Sequence, residues 1–495
     1  MAKFEFNCVQ SSCKHDKEFN DENFKIFQLI DRNETSNNAC CMLLKNEPMP
    51  LKCQCCGTIL SKNYITIDCD QHKLDNDQKN FIVQLNKDLQ VKNETFFCYF
   101  IHGSAGSGKT TIIKHVLRHG HLCKFYYITI KSILSYKIHD CQKHQFSHVL
   151  TLAKFFHTHI ANNYWDTIKF LNSFLTSDVS ECDIEKYINE NSIMFRPIES
   201  NVPILIFFDE YSMLNTATAY LFFKILQLSN VKVYLIFVGD VNQCPPINEC
   251  TFFPTLIDYC NETFKSTIKH FHLFNPLRFK DEKLKLFVSQ VYENVNNVRS
   301  LLFDIENNTT RVEISHPLRP QFTILCRTNS ACLQYWHAYI KCILTCYPDV
   351  RIYNYKCPIR NSDEIHHAFF VPNMKYYFLT NVRDQDYRGP MAIANREECT
   401  LLKCMKYGLE MKCLRTNEIF LLKPIWFVDP WHSKDVKIFG FPIHPAIIDN
   451  IFQYQGLTIE NDGYIDFNHC SQDQDIYTAI TRFRHTNQIK GLINL

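Results

Sequence analysis

The sequence predicts an α/β protein of about three domains, and three observations support that expectation. A phosphate-binding loop, Gly103-Ser104-Ala105-Gly106-Ser107-Gly108-Lys109-Thr110, follows an apolar run and opens a helical stretch. Two more apolar runs, "VPILIFFDE" from Val202 and "VKVYLIFVGD" from Val231, end in acidic residues. Ahead of all three lies a polar, cysteine-rich stretch, residues 1–73. At 495 residues the chain exceeds the size of one ordinary domain.

The bulk composition narrows the class. Hydrophobic residues at 46% and charged residues at 21% give a globular balance, which excludes wholesale disorder. The net charge of +2 means that any nucleic-acid site is a local basic channel and not a global field. The N-terminal residues "MAKFEFNCVQSSCKHDKEF" contain no apolar core of signal-peptide length, and the longest apolar runs are too short to span a bilayer. A soluble, intracellular protein is expected, so its 24 cysteines should be reduced thiols or metal ligands.

The first strand is "TFFCYFI", Thr95 to Ile101. In the loop after it, glycines let backbone N–H groups converge on phosphates, and the helix from Lys109, stopped by Gly120, points its positive end at them. Lys109 should reach the outer phosphates of ATP, and Thr110 should hold Mg²⁺. The second strand delivers Asp209 as the second Mg²⁺ contact and Glu210 as the base that polarises the attacking water. The third ends in Asp240-Val241-Asn242-Gln243-Cys244-Pro245-Pro246, with Gln243 placed for the γ-phosphate or the lytic water. Three buried strands with polar residues at their carboxyl ends describe an open sheet with a ligand crevice.

"GSAGSGKT", "DEYSM" and "GDVNQCPP" resemble motifs I, II and III of superfamily 1 helicases, most closely the RecD-like branch that includes the PIF-type DNA helicases. The resemblance runs from about residue 74 to the end. It implies two RecA-like motor domains in tandem, residues 74–275 and 276–495. "LDNDQKNF" is similar to the Q motif, so that Gln78 would read the adenine edge. "LTLAKFFHTH" resembles the segment lining the single-strand channel, making Phe155 and Phe156 candidate stacking platforms alongside Phe452 and Tyr454. Arg278 in "LFNPLRF" takes the place of the motif IV arginine, and "QFTILCRTN" that of the strand opening the second motor domain. "DNIFQYQGLTI" resembles motif V, with Gln455, Gly456 and Thr458. "IYTAITRFR" resembles motif VI and makes Arg482 a finger on the γ-phosphate. The nucleotide site so implied comprises Gln78, Gly103 to Thr111 and Gly456, with Lys109, Asp209, Glu210, Gln243, Arg278 and Arg482 as its catalytic set.

The chain departs from that pattern at three places. Gln453 stands where motif V usually has a phosphate-binding lysine. "YYITIKSILSYKI" lacks the small-residue turn of motif Ia, leaving Lys131 and Ser132 to serve the nucleic-acid backbone. Cys244 replaces the motif III leucine. Between about 345 and 440, short apolar runs alternate with turn signals, which predicts a β insertion in the second motor domain; the resemblance makes it SH3-like.

In the front end, Cys53-x₂-Cys56 and Cys69-x₂-His72 have the spacing of a structural Zn²⁺ site, with Cys8, Cys13, His15, Cys40, Cys41 and Cys55 as alternative ligands. The leading expectation is a monomeric ATP-dependent helicase acting on single-stranded and forked DNA, 5′ to 3′ by resemblance, with replication, repair or recombination proteins as partners and no membrane. An RNA helicase of the same superfamily, or an ATP-gated single-strand-binding factor that no longer unwinds, are the alternatives. Abundant Phe, Asn, Ile and Lys with 12 glycines fit an AT-rich genome such as that of a large DNA virus, which leaves the nucleus or a cytoplasmic replication site as the location.

Overall fold

The computed structural model describes residues 6–8, 25–29 and 74–493, apart from 92, 120–122, 140–146, 161–180, 191, 246–255, 259, 262–267, 294–297, 299–321, 385–392, 433–435 and 471. The chain divides into two compact units, Asn38–Asn296 and Met1–Asn37 with Asn297–Leu495, called here the N-terminal and C-terminal units. The first therefore runs past residue 275, where the sequence placed a boundary. The expected zinc ligands Cys53, Cys56, Cys69 and His72 lie outside the described residues. Among the described residues no cluster of His, Cys, Asp and Glu is arranged to hold a metal, and no helix is long and apolar enough to cross a membrane.

Helix α1, Asn76–Leu89, opens the N-terminal unit. Its start is a capping box: the Gln78 backbone N–H donates to Asp75 Oδ1 at 2.8 Å, and the Asp75 N–H donates to Gln78 Oε1 at 3.1 Å. Six strands follow: β1 Phe96–Gly103, β2 Lys124–Thr129, β3 Ser147–Thr151, β4 Ile204–Asp209, β5 Val233–Gly239 and β6 Ile268–Leu273. They form one parallel sheet in the order β3-β2-β4-β5-β1-β6.

A parallel sheet covered on both faces explains why β4 up to Phe208 and β5 are apolar and buried, since their residues point alternately into two cores. Neighbours along a strand take opposite sides. Phe100 and Phe208 join one core with Phe155, Phe222 and Phe237, while Tyr99 and Phe207 join the other with Phe81, Ile112 and Tyr234. Phe155 and Phe156 are essentially inaccessible. They are core fillers of helix Leu152–His159, not the stacking platforms the sequence allowed. Lys131 is likewise buried. The decisive feature is the order β4-β5-β1, which sets the ends of three consecutive sheet positions side by side.

The C-terminal unit holds a four-stranded parallel sheet. Strand β7, Phe322–Cys326, lies between Ile448–Asn450 and Asp462–Asp466, and Ile489–Ile493 lies outside the latter. After β7 and the 18-residue helix Asn329–Cys346, antiparallel strands fill the chain from Tyr353 to Pro445. The short strand Phe6–Cys8 pairs antiparallel with Tyr353–Pro358, and Lys25–Leu29 pairs antiparallel with Val382–Asp384 and parallel with Ile419–Leu422.

Phe81 fastens α1 to the sheet, its ring edge-on to Tyr99 at 5.9 Å and to Phe271 at 5.3 Å between centroids. Phe81→Ala is expected to cost about 3–5 kcal/mol. In a urea titration this reads as a lower midpoint at unchanged slope.

Candidate nucleotide site

The loop after β1 can turn back on itself because Gly106 and Gly108 take positive φ, +82° and +84°. Neither position has room for a side chain. A Cβ on Gly106 would meet the Arg278 Cβ at 2.4 Å, and one on Gly108 would meet Gln78 Nε2 at 2.3 Å. Helix α2, Lys109–His119, starts directly from the loop, with the Thr111 N–H donating to Gly108 O at 2.9 Å. Lys109 Nζ donates to Gly103 O at 2.6 Å and Ser104 O at 3.0 Å, so the ammonium lies within the loop's curl. Thr110 and Thr111 are exposed at the helix start.

Strand β4 ends in Asp209 and Glu210, both buried. Asp209 Oδ2 accepts the Tyr127 hydroxyl at 2.5 Å, and Oδ1 accepts the Glu210 N–H at 3.1 Å. Burial, with the Glu210 charge beside it, pushes the Asp209 carboxyl up to about 7. Glu210 occupies the left-handed region, φ 59° and ψ 47°, a strained backbone for a residue with a side chain. Strand β5 ends before Asp240, which is inaccessible; Gln243 Nε2 donates to its Oδ2 at 3.3 Å. Burial lowers the Lys109 pKa, opposed chiefly by Asp240 and Glu210 and reinforced by Arg278.

The structure thus brings Lys109, Asp209, Glu210, Gln243 and Arg278 to one sheet edge. Two placements differ from expectation. Arg278 belongs to the N-terminal unit, where its backbone N–H donates to Gly106 O at 3.1 Å. Gln78 directs its amide at the protein: Oε1 completes the capping box and Nε2 lies 3.4 Å from Ser107 O and 3.5 Å from Gly108 O. In this position it braces the loop. Asp240 and Tyr127 were missed as site residues. Asp240 sits in the quoted third run and was legible there, whereas the Tyr127 contact follows from the β2-β4 register, Tyr127 opposite Phe207 and Thr129 opposite Asp209.

Gly456 and Arg482 belong to the C-terminal unit. Gly456 has φ +78°. Arg482 is inaccessible, and its guanidinium donates to Thr478 O at 2.8 Å, Leu457 O at 3.2 Å and Thr481 Oγ1 at 2.9 Å.

Among the buried polar atoms of the N-terminal site that have no hydrogen-bond partner among the described residues are Ser104 Oγ, Ser107 Oγ, Glu210 Oε2 and Gln243 Oε1. Buried polar atoms are normally satisfied, so such a group points to a ligand rich in donors and acceptors. A phosphate chain with a hard divalent cation and a water meets that need, with the Thr110 hydroxyl and Asp209 carboxylate as oxygen donors of the type Mg²⁺ takes.

The Asp209 shift has a consequence for stability. Its folded pKa near 7 exceeds the unfolded value near 3.8, so the folded state binds more protons between these limits and loses stability as pH rises through them. Asp209→Asn should raise the melting temperature of nucleotide-free protein at pH 8 and change it little at pH 4, by calorimetry.

Comparison with known proteins agrees with this geometry. Residues 91–249 match the AAA domain family. No curated protein matches the chain. Among solved structures, the Bacteroides Pif1 helicase in complex with ADP-AlF3 and ssDNA superposes with a TM-score of 0.54 at 16% identity, over 86% of this chain and 92% of that one. Pif1 helicase from Candida albicans gives 0.53 at 16% identity, over 86% and 95%. A Pif1 structure described as the basis for unwinding forked dsDNA by two coordinating helicases gives 0.53 at 15%, over 86% and 92%. The match to the AAA domain family lies within the N-terminal unit, and the chain has the fold of the solved Pif1 helicases.

Proposed function

We propose that the protein is an ATP-dependent DNA helicase that translocates on single-stranded DNA, 5′ to 3′, and opens forked duplexes during replication, repair or recombination. One observation carries the reading. The ends of β1, β4 and β5 deliver a phosphate loop, an acid pair and a glutamine to adjacent places in a chain that shares the Pif1 fold over 86% of its length. The solved relatives are described with ssDNA and with forked dsDNA. The C-terminal unit serves as a second RecA-like motor domain, and its antiparallel strands as an SH3-like insertion. A zinc module in residues 1–73, a monomeric state and an intracellular site of action belong to the same proposal.

The chemistry assigned to each residue follows from its surroundings. Lys109 and Arg278 offset charge on the outer phosphates, and the backbone N–H groups of Gly106 to Thr110 receive their oxygens. Mg²⁺ held by Thr110 and Asp209 supplies further charge neutralisation when bound. Glu210, buried and beside Asp209, takes a proton from the attacking water, and Gln243 orients that water through its amide. Arg482 acts as a finger once its guanidinium exchanges the carbonyls of Leu457 and Thr478 for a phosphate.

Steady-state ATPase activity with single-stranded DNA, single-stranded RNA or no polymer, at two salt concentrations, tests the reading. Stimulation by DNA that weakens with salt is expected, because phosphate contacts carry that dependence. Stimulation by RNA alone would transfer the proposal to RNA. Stimulation without strand displacement would leave an ATP-gated binding factor. Lys109→Ala should lower turnover at least about 10²-fold. Glu210→Gln should retain nucleotide binding while stopping turnover. Arg482→Ala should keep affinity and slow hydrolysis roughly 10³-fold.

A further inference from the structure

Glu210 raises a question that the site chemistry leaves open. Its Oε2 is buried with no hydrogen-bond partner among the described residues. The direction of the carboxylate is therefore set largely by the backbone, and that backbone is in the left-handed region. Something must hold it there, because the strain favours relaxation to another conformation.

The residue that follows supplies the hold. Tyr211 is buried and starts a short 3₁₀ turn, Tyr211–Met213. Its hydroxyl lies 2.7 Å from Nδ1 of His102, the residue that immediately precedes Gly103 of the phosphate loop. The His102 Nε2 lies 2.9 Å from Nδ1 of His270 on β6. Two orderings of protons satisfy both bonds: the Tyr211 hydroxyl donates to His102 Nδ1 and His102 Nε2–H to His270 Nδ1, or both bonds run in the reverse direction.

Packing fixes the same ring from other sides. Phe100 and Phe237 meet it edge-on, with centroids 5.6 and 6.2 Å away. Strand β5 ends in Gly239, where a Cβ would stand 2.7 Å from Tyr211 Cδ1 and 2.8 Å from Cε1, so the ring fills the space a side chain would need. Burial, with His272, His270 and Lys109 nearby, pushes His102 down to about 3, so it is neutral at physiological pH and able to accept. The bond joins the end of β1 to the turn after β4. These strands are not neighbours, since β5 lies between them.

We infer that His102 and Tyr211 are a positioning pair that ties the backbone of the base Glu210 to the root of the phosphate loop, holding base and nucleotide in register. The inference rests on the hydrolase reading above and extends it to two residues that do not touch substrate. Neither acts as acid or base. Without the bond, the 210–213 turn is still enclosed by Phe100 and Phe237, so the fold survives while the carboxylate samples directions that miss the water.

The test compares wild-type, Tyr211→Phe, His102→Leu, His102→Gln and the Tyr211→Phe/His102→Leu double variant. ATPase kcat and KM, affinity for a fluorescent ATP analogue, and melting temperature are read for each full-length chain. Tyr211→Phe should lower kcat roughly ten- to hundredfold, the order expected for misplacement of a reacting group. Its nucleotide affinity should not change. The double variant should be no slower than the slower single, because the Tyr211–His102 bond that Tyr211→Phe removes is already lost in His102→Leu. His102→Gln, whose amide oxygen can still accept from Tyr211, should recover most of the turnover that His102→Leu loses. Equal kcat in wild-type and Tyr211→Phe, or multiplying losses in the double variant, would overturn the positioning role. A fall in nucleotide affinity and melting temperature in proportion to kcat would reduce the pair to ordinary packing and also overturn it. A wild-type chain without turnover is a different result, and defeats the hydrolase reading along with this extension.

Discussion

The N-terminal unit is organised around the burial of three carboxylates, Asp209, Glu210 and Asp240, at one edge of an apolar sheet. Buried charge of one sign is costly unless it is neutralised or protonated. The protein uses both routes: Lys109 and Arg278 share the site with the acids, and Asp209 moves up to about 7. A bound divalent cation would complete the balance, so the unliganded site stores an electrostatic cost that binding relieves. Affinity for a divalent cation would then derive in part from relief of repulsion between acids that the fold forces together.

That arrangement constrains the sheet. The acids stay together because β4 and β5 are neighbours and β1 lies beside β5, which makes the two apolar cores prerequisites for the chemistry. Helix α1 contributes at both ends of this requirement. Phe81 packs it onto the β1 and β6 side of the sheet, and Gln78 carries the same rigidity to Ser107 and Gly108. A glutamine used in this way makes the capping box part of the phosphate loop's scaffold, and helix stability and loop geometry are no longer independent.

The α/β class, the phosphate loop and the acids after β4 were legible because each is a local pattern: an apolar run, a glycine spacing, a polar residue at a strand end. Contacts between strands far apart in sequence were not. Tyr127 on Asp209 spans 82 positions and His102 on Tyr211 spans 109, and no spacing rule links either pair. Phe155 and Phe156 show the complementary failure. A resemblance placed them near a channel, but in a chain with 40 phenylalanines burial claims most of those whose side chains are described. Arg278 was recognised as chemically important and put in the wrong unit, because its backbone bond to Gly106 cannot be read from the motif that contains it.

In the C-terminal unit the segments resembling motifs V and VI are bonded to each other. The Ile459 N–H donates to Arg482 O at 2.8 Å while the Arg482 side chain donates to Leu457 O, so residues 457–459 and 478–482 are cross-linked by main chain and side chain together. Upstream, Asn450 Nδ2 donates to Arg327 O at 2.8 Å, and Arg327 pairs at 2.9 Å with the inaccessible Asp475 of the helix that leads into Arg482. Asp449 is paired with Arg396, whose guanidinium lies 3.9 Å over the Tyr377 ring. Under the helicase reading this lattice has a mechanical meaning. A guanidinium that leaves Leu457 O to meet a phosphate removes a bond from the segment proposed to grip the DNA backbone, with no intervening element to carry the signal. Coupling between hydrolysis and grip is then a property of shared hydrogen bonds at Arg482.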